Sequence, residues 1–300
     1  MQRNNYKDRP AVIVESDFLI ATILPEDGGK IVSLRVRDTG KELLITRPEK
    51  EYKVLAYDGD FEKSECSGFD DMFPTVDPYT PEEGVYEGIT YPDHGEVCRL
   101  QHKAELFENG VVLHATSKLF PIDFRRKITP AKDGGLDLEY CITNKGEVPF
   151  PFLWAGHMML QAEEGMRLFL PFAEDASRTM VFQSEGTVES ELPLDHLPEY
   201  KPGTGPVYKV YYDEPMREGR FGLSYPDGGK LTIEVDVEKT PYVGIWYGSG
   251  QFQDLYAVIL EPCTVPYDAP DIAKERGYTS IIPAKSEFTF SVHIAWENND

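Results

Sequence analysis

Basic side chains are in short supply: the 300 residues carry 30 Lys and Arg against 52 Asp and Glu, a formal net charge of −22. Binding to nucleic acid rests mostly on counterion release driven by Lys and Arg, so a chain this acidic is not expected to have a nucleic-acid partner. Long apolar runs are missing too. The best short one, residues 257–260, is cut off by Glu261 and Pro262, well below the roughly 18 residues of a membrane span, and no membrane association is expected. The opening MQRNNYKDRPAVIVESDF has early charges, but neither an apolar stretch of about 7–15 residues nor a small-residue cleavage site, which points to a cytoplasmic protein. Cysteine is sparse and scattered: Cys66, Cys98, Cys141 and Cys263 form no CxxC pair and no dense framework, so they are read as reduced thiols used for packing. Phosphate loop, dinucleotide fingerprint, GxSxG elbow and HExxH are all absent, which leaves no motif for a nucleotide cofactor or a zinc ion.

Turn chemistry and alternation are abundant. Short runs of alternating apolar and polar residues, bounded by the 25 glycines and 23 prolines or by Asn and Asp, recur at 11–14, 30–36, 111–117, 136–143, 167–170, 230–236 and 287–295; this is the strand signal. Between them stand Glu26-Asp27-Gly28-Gly29, Asp133-Gly134-Gly135, Asn144-Lys145-Gly146 and Pro226-Asp227-Gly228-Gly229, all turn sequences. Helical periodicity is confined to residues 268–276 and 49–55. With 41% hydrophobic and 12% aromatic residues the chain can bury a large core. Many strands and few helices predict two stacked antiparallel sheets, an all-β sandwich with residues 1–300 as a single domain. Residues 62–94 and 183–206 break the rhythm and read as long loops. Loops of that length are commonly functional, so the first, ending in Pro92-Asp93-His94-Gly95, is where a site is sought.

Six histidines can each be weighed. His102 and His196 sit among polar neighbours and read as surface residues, while His114 and His293 alternate with apolar neighbours on strands, in cross-strand or core roles. His94 precedes a glycine that lets the backbone approach a ligand, with Arg99 a short way downstream. His157 lies in the apolar, aromatic stretch 150–160, which disfavours a charged imidazole; a buried structural histidine and an acid–base group both fit. Glu261 ends an apolar strand beside Pro262, where desolvation suits a general base, though a strand-end glutamate paired with Lys or Arg fits equally well. The acidic cluster Asp70, Asp71 and Asp77 misses the spacing of a calcium loop, and no metal is expected.

His94, His157 and Glu261, in that order, are where the chain resembles the aldose 1-epimerase (galactose mutarotase) superfamily. Residues 23–34 with Gly40-Lys41-Glu42-Leu43-Leu44 look like that family's first hairpin, and Asp93-His94-Gly95-Glu96-Val97-Cys98-Arg99 is similar to its His-Gly-x-x-Arg segment. Residues 148–157 resemble the stretch ending in its catalytic histidine; Val258-Ile259-Leu260-Glu261-Pro262 resembles the segment bearing its catalytic glutamate. The resemblance spans residues 20–295. It implies a large galactose mutarotase-like β-sandwich with a sugar cleft on one sheet, and interconversion of α and β anomers by ring opening and closure, with no cofactor. His157 would be the acid toward the ring oxygen, Glu261 the base toward the anomeric hydroxyl, and His94 and Arg99 would bind and orient the sugar. Trp154, Trp246 and Tyr247 are candidates to present an apolar face to the ring. A non-catalytic carbohydrate-binding or regulatory module on the same fold is the alternative. Two positions depart from the family: residues 68–78 stand where an Asn-Arg segment is expected, and Lys209 where an aspartate is expected. A hexose 6-phosphate would need cations, and of Arg125 and Arg126, on opposite faces of a strand, only one could serve.

Overall fold

The computed structural model describes residues 2–173, 176–183, 197, 203, 205 and 207–298. Its ten-stranded sheet runs, in spatial order, Gln2–Tyr6, Arg9–Glu15, Leu19–Leu24, Lys30–Val36, Phe69–Met72, Ala155–Gln161, Tyr256–Cys263, Tyr242–Ser249, Val207–Tyr212 and Arg178–Gln183. An eight-stranded sheet runs Arg167–Phe169, Arg220–Ser224, Lys230–Val235, Glu287–Glu297, Leu136–Asn144, Ile122–Pro130, Gly110–Thr116 and Lys103–Phe107. Neighbours pair antiparallel throughout, and the chain is an all-β sandwich. The expected turns make several of the reversals. Asp133 and Asp227 each accept a hydrogen bond from the amide two residues on, Gly135 (3.0 Å) and Gly229 (3.1 Å), the Asx geometry that closes a hairpin.

The main core lies between the sheets. Leu34, Met158, Leu160, Val258, Leu260, Val243, Ile245 and Val210 from one meet Leu113, Phe124, Leu138, Tyr140, Ile233 and Val292 from the other. Each fully buried side chain of this size contributes about 1.5–3 kcal/mol. The middle of the ten-stranded sheet is covered on its outward side as well. Ala155, Met159, Ala257, Ile259, Cys263 and Tyr211 point there, under Phe61, Cys66, Val265 and Tyr267 from the connecting segments. Successive side chains of a strand point to opposite faces, so cover on both sides makes the central strands buried at nearly every position.

Three expectations are corrected. Residues 49–55 form no helix: the amide of Tyr52 goes to the Asp8 carboxylate (3.0 Å) and that of Lys53 to Glu65 (3.2 Å), tying the segment to distant side chains. The long loop at 62–94 contains Phe69–Met72, a strand in the middle of the sheet. Asp70 and Asp71, adjacent on that strand, face opposite ways and pair with different cations, Lys30 (2.9 Å) and Arg126 (2.7 Å). His102, expected at the surface, is 3% exposed, its amide bonded to the Pro25 carbonyl and its Nε2 3.2 Å from that of Val97. The helix at 268–276 is present as Pro270–Glu275. His196 and nearly all of 183–206 lie outside the described residues. Among the described residues no helix is long and apolar enough to cross a membrane.

Candidate active site

Strand parity builds the site. On Ala155–Gln161 the residues in phase with Ala155 and Met159 face outward, which places His157 there; on Tyr256–Cys263 the same parity as Ile259 and Cys263 places Glu261 there. The two strands pair with Ala155 opposite Cys263 and Met158 opposite Leu260, so His157 and Glu261 come abreast. Asp70 is opposite His157 on the other side. Beyond Glu261 come Gly244 and then Tyr211. One row across five strands thus carries Asp70, His157, Glu261, Gly244 and Tyr211.

Gly244 gives this row its geometry. A Cβ there would stand 2.7 Å from the Tyr211 ring; without one, the phenol lies across the strand, its hydroxyl 2.8 Å from Asp268 Oδ1 and 3.4 Å from Glu261 Oε2. Lys209, two residues before Tyr211 on the same face, sets its Nζ 2.6 Å from Glu261 Oε2 and 2.6 Å from Asp268 Oδ1. Asp268 itself is pinned through its carbonyl, which accepts from the amides of Val76 (3.0 Å) and Asp77 (2.7 Å). Among the described residues Glu261 Oε1 has no hydrogen-bond partner, and it faces His157 Nε2 at 3.9 Å. The carboxylate is therefore held by one oxygen and open at the other.

His94 arrives from the loop. It and Gly95 have φ of +57° and +75°, and a Cβ on Gly95 would meet backbone atoms of Phe73 at 2.5 Å, so only glycine allows the loop to pack this closely. The His94 ring stacks on Phe61 (3.9 Å, 6°) and stands edge-on to His157 (5.5 Å, 87°), with Nδ1 3.0 Å from Asp93. Phe61 also meets the His157 ring edge-on at 5.9 Å.

Burial sets the protonation states. It depresses the His157 pKa well below the ordinary histidine value, and the neighbouring His94 and the ammonium groups of Lys209 and Lys30 push the same way. It raises that of Glu261, against which Lys209 pulls down and Asp268 pushes further up. Burial alone would depress Lys209, but Asp268 and Glu261 outweigh it and hold the ammonium charged. The arrangement is a neutral imidazole beside a carboxylate clamped to a cation, a pair across which one proton can move.

The remaining expected residues fall elsewhere. Arg99 is buried and directs its guanidinium at backbone carbonyls: Gly95 (3.1 Å), Tyr57 (3.0 Å), Gly59 (2.6 Å) and Asp93 (2.7 Å). It ties the His94 loop to the segment carrying Phe61, and acts on the site through both. Trp154 is corrected: it is fully buried between the sheets, Nε1 on Asp71 (3.2 Å) and ring 4.5 Å from Phe290, on the far side of the sheet from His157. Tyr247 belongs to the same inner core. Trp246 lies on the outward face, opposite Lys209 in register and against Phe252. Arg126 is sealed in the core and Arg125 is exposed on the eight-stranded sheet, so neither supplies the site with a cation. Among the described residues no group of three or more His, Cys, Asp or Glu is placed to hold a metal. Sequence reasoning missed Tyr211, Asp268 and Phe61, weighed Asp70 only as a calcium ligand, and saw Lys209 only as a departure; a lysine inside the apolar run Val207–Tyr212 is the one signal that a buried counter-charge had to exist.

No protein-family model matches the chain, and no curated protein is similar in sequence. Solved structures are. The Slr1438 protein from Synechocystis sp. PCC 6803 superposes with a TM-score of 0.70 at 16% identity, covering 100% of both chains. A candidate aldose 1-epimerase from Escherichia coli K12 gives 0.68 at 16%, covering 96% of this chain and 99% of that one. A galactose mutarotase-like protein from Clostridium acetobutylicum gives 0.66 at 14%, covering 99% and 98%. At such identities the likeness is one of fold, and the fold of this chain is the galactose mutarotase-like β-sandwich.

Proposed function

We propose that the protein is an aldose 1-epimerase, a cofactor-independent isomerase acting on a free sugar. The observation that carries this is the pairing of an open, buried carboxylate oxygen, Glu261 Oε1, with His157 Nε2 at 3.9 Å on adjacent central strands. In ring opening, Glu261 takes the proton of the anomeric hydroxyl and the C1–ring-oxygen bond breaks as the C1 carbonyl forms; that proton passes from Glu261 to His157, which delivers it to the ring oxygen, so the imidazole is neutral and the carboxylate charged again once the ring is open. Rotation about C1–C2 and the reverse transfers give the other anomer. His94, 20% exposed where His157 is 7% and Glu261 1%, marks the side from which the sugar approaches, past Phe61, and hydrogen-bonds it near the ring oxygen. Arg99 holds that loop in place, and Trp246 offers an apolar ring at the other end of the face. The four free thiols fit a reducing, cytoplasmic setting.

The test is polarimetry on freshly dissolved α-glucose, α-galactose and a panel of other aldoses. Wild type should accelerate equilibration of at least one, and His157→Ala and Glu261→Gln should each lower that rate by about 10²-fold or more while remaining folded. Sugar binding by thermal shift with no acceleration on any member of the panel would replace the epimerase by a binding module.

A further inference from the structure

Resting on that reading, we propose that Lys209 is a positioning residue of the catalytic base: by holding Glu261 Oε2 and Asp268 Oδ1 together, it fixes the carboxylate to the loop ahead of Pro270–Glu275 and leaves Oε1 as its only free oxygen. The contacts are 2.6 Å each, and all three side chains are close to fully buried, at 7%, 1% and 11% exposed. A carboxylate with no cation at such a depth would take up a proton and cease to be a base. Here the ammonium supplies the charge and Tyr211 supplies a second donor to the same oxygen, 3.4 Å away. Both restraints act on Oε2, on the side away from His157, so the carboxylate plane is set with Oε1 toward the imidazole.

Among the described residues Lys209 has no other acceptor competing for it: its contacts are Glu261, Asp268 and the Tyr211 ring at 5.4 Å. The groups facing Glu261 are Lys209 and Tyr211 from one strand, His157 from the adjacent one, Cys263 on its own strand, Asp268 from one loop and His94 from the other. Among these, Lys209 is the one permanent cation within contact, so its removal acts on the base in a direction that general loosening of the fold would not reproduce. Asp268 opposes it electrostatically but anchors it in space. Its carbonyl fastens Val76 and Asp77, just before the His94 loop, so base and sugar-binding loop are referred to one point.

The experiment compares the pH dependence of kcat/KM for wild type, Lys209→Met, Lys209→Arg and the charge-balanced double variant Lys209→Met with Asp268→Asn. In Lys209→Met the acidic limb, where Glu261 protonates, should move to higher pH by about one unit or more, with kcat down about tenfold or more at pH 7 and KM changed much less. Lys209→Arg should restore the limb. If the single Met variant does not fold, the double variant carries the test through kcat: with the cation and the opposing Asp268 charge both gone the limb should move less, but the carboxylate has lost its tether and kcat should still fall about tenfold, whereas a wild-type kcat there would overturn the proposal. An active wild type whose acidic limb and kcat survive loss of Lys209 would overturn the proposal. Should wild type turn over no sugar, infrared titration of the Glu261 carboxyl band, assigned with Glu261→Gln, reads the same shift without activity: a band that titrates alike with and without Lys209 sinks the inference, and a shifted one sustains it.

Discussion

A guanidinium that meets four backbone carbonyls does more for a site than a contact to the ligand would show. Arg99 uses Nε, Nη1 and Nη2 on Gly95, Tyr57, Gly59 and Asp93, and no lysine can span that set, because an ammonium is a single point with three donors. Arg99→Leu would leave these acceptors in a largely buried setting, at about 1–3 kcal/mol for each one that water cannot reach. The expected loss is about 3 kcal/mol in urea unfolding, with Arg99→Lys recovering little of it; an Arg99→Lys variant as stable as wild type would show that the fork geometry is not needed. His94, His157 and Glu261 were legible in the sequence because each sits in a short segment of distinctive chemistry. The role of Arg99 was not, because its acceptors are carbonyls, which every residue has. Trp154 was misplaced although alternation held the answer: it is three residues before His157, an odd separation that puts the two on opposite faces of extended chain, and it lies in the inner core.

Between neighbouring strands the decisive position is one without a side chain. Gly244 separates Glu261 from Tyr211, and the Tyr211 ring and hydroxyl occupy the space its Cβ would fill, at 2.7–2.9 Å. Gly244→Ala should push the phenol off Asp268 and Glu261 while leaving the ladder of Tyr242–Ser249 intact. Activity is expected to fall about tenfold, with the far-ultraviolet circular dichroism unchanged. Tyr211→Phe, which removes the hydroxyl but not the ring, should reproduce the loss, and full activity in both variants would dismiss the second donor to Glu261. The strand pattern itself was largely readable, since residues 30–36, 111–117, 136–143 and 287–295 alternate or run apolar between turn residues, and each lies in a strand or one residue beyond it. Phe69–Met72 was hidden, because two adjacent aspartates in four residues look like loop. What makes them a strand is far away in sequence: Lys30 for Asp70, Arg126 for Asp71. Alternation states which face a residue takes, but not whether that face is covered, so the second buried layer over His157 and Glu261 could not be read locally.

The molecule as a whole carries much of its acid on the surface but keeps a few ionisable groups deep inside, and those set how it responds to pH. Lys30–Asp70 and Arg126–Asp71 are paired ions with almost no exposure. His102 is different: it is 3% exposed, with one ring nitrogen on the Val97 carbonyl and the other, Nδ1, close to Gly29 and without a partner among the described residues. Burial pushes its pKa down from 6.5 to about 3. The unfolded chain binds a proton there below pH 6.5 that the folded chain refuses until about pH 3, so stability falls as pH drops through this window. At pH 5 the loss from His102 alone is about 2 kcal/mol. His157, depressed as well, acts in the same direction. His293 opposes them: burial would lower its pKa, but Asp137 and Asp133 raise it overall, so its contribution is present below the unfolded value and lost as pH rises through the folded one. Comparing one variant with wild type isolates a single member of this balance. In urea unfolding at pH 7.5 and pH 5, wild type should lose about 2 kcal/mol more than His102→Gln, which keeps a polar group for the Val97 carbonyl and has no proton to gain. Equal losses in the two proteins would mean that His102 is protonated in the folded state and that the packing against Gly29 opens to admit the charge.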